Sequence, residues 1–80
     1  MTGSNLASHH RVGISPNEST NGVRVLFTLP TAYVAGSLAV YREGERLVEG
    51  VTETSPSAGT FTLTIPPDST EVLKCDYIKP

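Results

Sequence analysis

From Gly22 onward, glycine or proline interrupts the chain every few residues, and between the breaks apolar side chains recur at every second position. Punctuation this dense leaves no helical period of useful length, whereas period two is that of a strand with one buried face. In "GVRVLFTLP", Val23, Val25, Phe27 and Leu29 fall on one side and Arg24, Leu26 and Thr28 on the other, and Pro30 ends the run because it has no amide to give to a ladder. "SLAVYR" sets Leu38 and Val40 against Ala39 and Tyr41, and "REGE" turns the chain into "RLVEG", so residues 33–50 read as a hairpin closed by Gly50. "VTET" is a short strand and "SPSAG" a turn. "TFTLTI" places Phe61, Leu63 and Ile65 on one face and threonines on the other. After "PPDST", the run "EVLKCDYI" opposes Leu73, Cys75 and Tyr77 to Val72, Lys74, Asp76 and Ile78.

Short strands at close spacing predict an all-β chain, a small antiparallel β-sandwich of immunoglobulin- or fibronectin-like type or a small open barrel. The composition changes near Gly22. Residues 1–21 are rich in Ser, Asn, Thr and Gly, with Leu6, Val12 and Ile14 as their substantial apolar side chains, too few to offset backbone ordering. The expected organisation is therefore an extended N-terminal arm over 1–21 and a β-sandwich domain over 22–80. Its inward set is Val25, Phe27, Leu38, Val40, Phe61, Leu63, Leu73 and Tyr77, a thin core for 80 residues, which points to a larger assembly.

Several function classes fit poorly. The formal net charge of −2 comes from scattered charges, with no basic stripe to neutralise phosphates, so nucleic acid is not an expected partner. No apolar run approaches the ~20 residues that span a bilayer, and the N-terminus lacks a signal-type stretch, so a soluble chain made without a cleaved leader is expected. One cysteine, Cys75, rules out an internal disulfide framework; its place in an alternating strand suits a small buried hydrophobe, the alternative being an intermolecular disulfide. His9 and His10 are adjacent on an extended arm, point in opposite directions and have no Cys, Asp or Glu spaced nearby to complete a metal site. Glu43, Glu45 and Glu49 surround a turn, where charge serves solvation and edge protection before acid/base chemistry. Asn17-Glu18-Ser19 matches a glycosylation acceptor, a pattern that also arises by chance, and Asn21-Gly22 is a turn dipeptide. No nucleophile with its base and no Gly-rich phosphate loop is present, so neither enzymatic turnover nor a cofactor or metal is expected.

The order of these pieces resembles a small β-module that recurs in structural proteins of tailed bacteriophages. An Asn-Gly turn leads to "LFTL", a segment ending in Gly-Ser, "VY" with a Gly-containing turn, a further glycine, an "FT" strand, Pro-Pro and a terminal "DY" strand. The resemblance spans about residues 17–78, and it would make Phe27, Gly36, Ser37, Val40, Tyr41, Gly44, Leu47, Gly50, Phe61, Pro67, Asp76 and Tyr77 framework positions with a folding role. "REGER" replaces the commoner Asn-Gly hairpin tip, and "GVTET" lacks the usual aromatic. The resemblance implies a virion component, assembled in the host cytoplasm. It would be a capsid decoration protein that binds and reinforces the head surface, as an oligomer or beside another virion protein. The alternative is a tail-fibre, neck or baseplate module that recognises a host surface. The residues expected to bind a partner are Leu6, Val12 and Ile14 of the arm together with Leu26, Tyr41 and Val72, which lie opposite the inward set yet are not polar; Tyr41 is the expected anchor.

Overall fold

The computed structural model describes residues 10–80. Seven strands form two antiparallel sheets: β1 (His10–Ile14), β2 (Leu26–Thr28), β3 (Ala39–Arg42), β4 (Glu45–Arg46), β5 (Val51–Ser55), β6 (Thr60–Leu63) and β7 (Leu73–Ile78). A 3₁₀ turn, Pro56–Ala58, joins β5 to β6. One sheet has the order β1-β7-β3-β4 and the other β2-β6-β5. The expected all-β sandwich is the fold observed.

The alternation read in the sequence is what closes the core. Phe27 pairs with Phe61 in the smaller sheet, their rings stacked with centroids 5.8 Å apart. Val40 pairs with Cys75 in the larger sheet, and both are fully buried between the layers. Leu29, Tyr33, Leu63, Leu73 and Tyr77 complete the buried cluster, with Ile14, Leu38, Leu47 and Val51 packed around it. Tyr33 and Tyr77 meet edge to face at 6.3 Å, and the Tyr33 hydroxyl donates to the Thr60 carbonyl at 2.7 Å, so the ring's polar tip is satisfied inside the core.

Three local expectations shift. The run from Gly22 to Pro30 yields only the three-residue β2, because the Asn21 side-chain oxygen takes the N–H groups of Val23 and Arg24 (3.0 and 2.7 Å) into a turn. Pairing still continues one residue upstream, where the Val25 carbonyl accepts from Leu63 N–H at 2.9 Å. Ile65 leaves the inward row of Phe61 and Leu63 because β6 stops at Leu63 and the chain bends toward Pro66. Residues from His10 onward, which the composition assigns to a free arm, are laid along the sandwich. β1 pairs with β7 (His10↔Ile78, Arg11↔Tyr77, Ile14↔Cys75), and its bulge is held where Gly13 N–H donates to Asp76 Oδ1 at 2.9 Å.

The chain then crosses to the smaller sheet and closes its β2 edge. Asn17 N–H donates to the Thr28 carbonyl at 2.8 Å, and Thr28 N–H donates to Glu18 Oε1 at 2.6 Å. Burial pulls the Glu18 carboxyl upward, but the hydrogen bonds from Thr28 outweigh it and hold its pKa below the ordinary value. Thr20 Oγ1 donates to the Glu71 carbonyl and Gly22 N–H to that of Pro67 (3.0 and 2.8 Å), fixing the crossing segment to the β6–β7 loop. Asn17 of the glycosylation pattern is thus tied by its backbone to β2.

Candidate functional site: the hairpin end of the sandwich

The β3–β4 hairpin turns through Glu43 and Gly44, both at positive φ (51° and 81°), the pairing of signs that suits a two-residue hairpin. Glutamate is an uncommon occupant of that first position. Here its carboxylate is held in return: Glu43 Oε2 accepts Val72 N–H at 2.7 Å, while Glu43 N–H donates to the Val72 carbonyl at 3.0 Å. These bonds anchor the start of β7 to the turn.

Behind the turn, Arg42 faces inward at the mouth between the sheets and forms a two-point pair with Glu71, Nη2–Oε1 2.6 Å and Nε–Oε2 2.7 Å. Glu71 Oε1 also accepts Asp68 N–H at 2.8 Å. The hydrogen bond from Arg42 is the main cause of the lowered Glu71 pKa, and the same bond raises that of Arg42. The ion pair closes over the end of the core beside Leu73, which pairs with Arg42.

Beside it the sheets part into a groove of about 310 Å³, lined by Leu47, Glu49, Gly50, Leu63, Thr64 and Ile65 along with Arg42. A second hollow of about 450 Å³ adjoins it over Glu43, Glu45 and Leu47. Hydrogen bonds bring four loops to this end: Thr64 N–H to the Gly50 carbonyl, Gly22 N–H to Pro67, Leu63 N–H to Val25, and Glu43 N–H to Val72. With these loops come exposed apolar side chains: Val23, Val48, Ile65 and Val72 are 76, 90, 65 and 52% exposed, four of the seven large hydrophobics so exposed among the described residues. Carboxylates rim the patch, and among the described residues neither Glu45 nor Glu49 has an ion-pair partner.

The residues expected to bind a partner do not form one surface. Leu6 lies outside the described residues. Ile14 turns toward the core opposite Cys75, at half exposure. Val12, Tyr41 and Val72 share the outward face of the larger sheet, where Tyr41 is half-buried across from Arg46 and Lys74. Leu26 is on the outward face of the smaller sheet, opposite Thr62 in a field of threonines that includes the hydroxyl contact of Thr54 with Thr62. Two packed sheets have two outer faces, so polarity alternation alone placed together residues that the sandwich sets on opposite sides. Val72 was among the residues expected to bind a partner; Val23, Val48 and Ile65 were missed because all three sit in loops, where alternation carries no directional information, and their one sequence signal is an apolar residue beside a turn.

Other candidates reduce to structural roles. Cys75 is free and fully buried, and burial, with Asp76 adding to it, pushes its thiol up to about 12. His10 is exposed at the start of β1, His9 lies outside the described residues, and among those described no group of three His, Cys, Asp or Glu side chains is placed to hold a metal. No helix in the described residues is long and apolar enough to cross a membrane. Among known proteins, no family model and no curated protein matches the chain.

Proposed function

We propose that the protein is a non-enzymatic structural module of a bacteriophage virion, a decoration protein that attaches to the head surface through the hairpin end of its sandwich. The observation that carries this reading is that Val23, Val48, Ile65 and Val72 stand exposed on the loops at the hairpin end, where Ile65 also lines the groove beside Leu47 and Glu49; exposed apolar side chains among charged ones are of the kind that mark a protein interaction site. These loops are held in place: the Arg42–Glu71 pair and the Glu43–Val72 bonds tie the β3–β4 turn to the start of β7, and Thr64 N–H to the Gly50 carbonyl ties the β4–β5 loop to the end of β6. Tyr41 and Val12 stand on the adjoining outward face of the larger sheet and would widen the contact.

The test is to locate tagged chain on purified particles by cryo-electron microscopy, comparing wild type with the double variant Val48→Glu, Ile65→Glu. Both substitutions fall on exposed side chains, so circular dichroism should remain that of the wild type while occupancy of the head surface is lost. A folded double variant that decorates particles as fully as wild type refutes the assignment of this end. Density confined to a fibre or baseplate refutes the decoration role.

A further inference from the structure

We propose that β1 of one copy pairs with β4 of the next, joining the larger sheets of successive copies edge to edge in a head-to-tail array. The inference rests on the two outer edges of one sheet, with which no further strand among the described residues pairs, and is independent of what the hairpin end attaches to.

Strand direction permits the join. In the order β1-β7-β3-β4 every neighbouring pair is antiparallel, so β1 and β4 run in opposite directions. A copy placed alongside by translation therefore presents its β1 antiparallel to β4, continuing the alternation.

Hydrogen-bond phase permits it too. Ile78 turns its N–H to Ser37 Oγ and its carbonyl to Val34 N–H, on the β3 side, so its neighbour Tyr77 turns toward β1 and bonds Arg11. His10 and Val12 then direct their backbone groups away from β7. At the other edge Leu47 N–H donates to Val40, which assigns Glu45 and Leu47 to the β3 side and turns the backbone of Arg46 outward. Opposing Arg46 with His10 or Val12 aligns donors with acceptors and keeps the faces of both sheets in register. Either alignment puts Arg11 on the face that carries Glu45 and Leu47.

The charges complement each other in that arrangement. Arg11 has no ion-pair partner within its own chain among the described residues, nor do Glu45 and Glu49 on the opposite edge. The smaller sheet differs: its β2 edge is already closed at Thr28 by Asn17 and Glu18. An open edge with unpaired backbone groups is a template for another strand, and the occupant that fits both edges is a second copy.

The experiment is sedimentation of the full chain from micromolar concentrations to about 1 mM, at low and high salt. Wild type is expected to associate progressively without a closing two-fold limit, and salt should weaken the association. Arg11→Glu and Glu45→Arg should each weaken it about tenfold or more, whereas their equimolar mixture and the double variant restore it, because each combination again opposes unlike charges. Val12→Pro, which removes an outward-facing amide and leaves the β7 bonds in place, should also block it while circular dichroism stays native. A wild-type monomer at every concentration overturns the proposal. So does association that the charge swap fails to rescue, or that persists in folded Val12→Pro. Val23→Glu alters an exposed side chain of the hairpin end that lies on neither β1 nor β4, so it should lose attachment yet self-associate like wild type, which separates failure of this proposal from failure of the attachment site.

Discussion

Replacing Gly59 by alanine tests whether the top of the core is set by a backbone contact. Gly59 is buried, has φ +77° and ends the 3₁₀ turn that returns β5 into β6. A Cβ there would stand 2.6 Å from the Thr31 carbonyl oxygen and 3.2 Å from that of Leu29. Neither oxygen can rotate aside as a side chain would. The two segments are held together by Leu29 N–H to the Gly59 carbonyl at 2.8 Å and Tyr33 N–H to the Pro56 carbonyl at 3.0 Å. Left-handed backbone costs an alanine about 1 kcal/mol. Separating the segments enough to seat the methyl weakens those two bonds at about 1 kcal/mol each, for a total of about 3 kcal/mol. Gly44→Ala is the control: its φ is +81°, but nothing lies within 4 Å of the added carbon, so the conformational cost of about 1 kcal/mol stands alone, offset in part by a stiffer unfolded chain. For a domain of this size each kcal/mol moves Tm by about 4–8 °C, so thermal unfolding should drop by about 12–24 °C for Gly59→Ala and by a few degrees for Gly44→Ala. If the two variants melt together, the contact with Thr31 is not a constraint and the reasoning fails.

Cys75 in the folded protein should resist a thiol reagent at pH 8 and react only at the rate of unfolding, and Cys75→Ala should cost about 1–2 kcal/mol by urea titration; rapid labelling of native protein would contradict its burial. Burial raises both Cys75 and Tyr33, each to about 12, from ordinary values of 9.0 and 10.0. Above pH 9 the unfolded chain therefore releases protons that the folded chain keeps, and the urea midpoint should fall steadily between pH 9 and 12; a flat profile would refute the shifts. At acid pH the sign reverses, because the lowered pKa values of Glu18 and Glu71 give stability that is present above their unfolded value of about 4.5 and lost as pH falls through the folded ones. Arg42→Met should accordingly reduce Tm more at pH 7 than at pH 3, and an equal reduction at both would show that Glu71 is not its working partner.

Where alternation and turn residues reinforced each other, the sequence was sufficient for structure. Phe27, Val40, Phe61, Leu63, Leu73 and Tyr77 are buried as the period of two demands, and the Glu43-Gly44 turn lies inside the predicted hairpin. Val25 and Leu38 reach only the margin, because each lies beyond the end of its strand. Tyr33 was not legible: its segment has no alternation, and its burial depends on the Pro56 and Thr60 carbonyls, which come from more than twenty residues away. β1 was hidden for a related reason. Its five residues, with one His, one Arg and one Gly, give it little to bury by itself, and Ile14 acquires a place only because Cys75 and Tyr77 offer an edge. At the candidate site, composition identified the glutamates around the turn, but the groove between them exists only once Gly50 meets Thr64.

The order β1-β7-β3-β4 has a consequence for how the chain is made. β7, the last of these seven strands to leave a ribosome, occupies an interior place in the larger sheet, between β1 and β3. Until it emerges, β1 has no partner and the β3–β4 hairpin stands alone, while the β2-β6-β5 sheet has all its strands. The pairings His10↔Ile78 and Ile14↔Cys75 join residues farther apart in sequence than any other strand pair here, so theirs is the longest loop to close and they can form only after β7 has emerged. Folding during synthesis is thus confined to one layer, and a chain interrupted before Leu73 exposes the apolar inner face of a half-built sandwich.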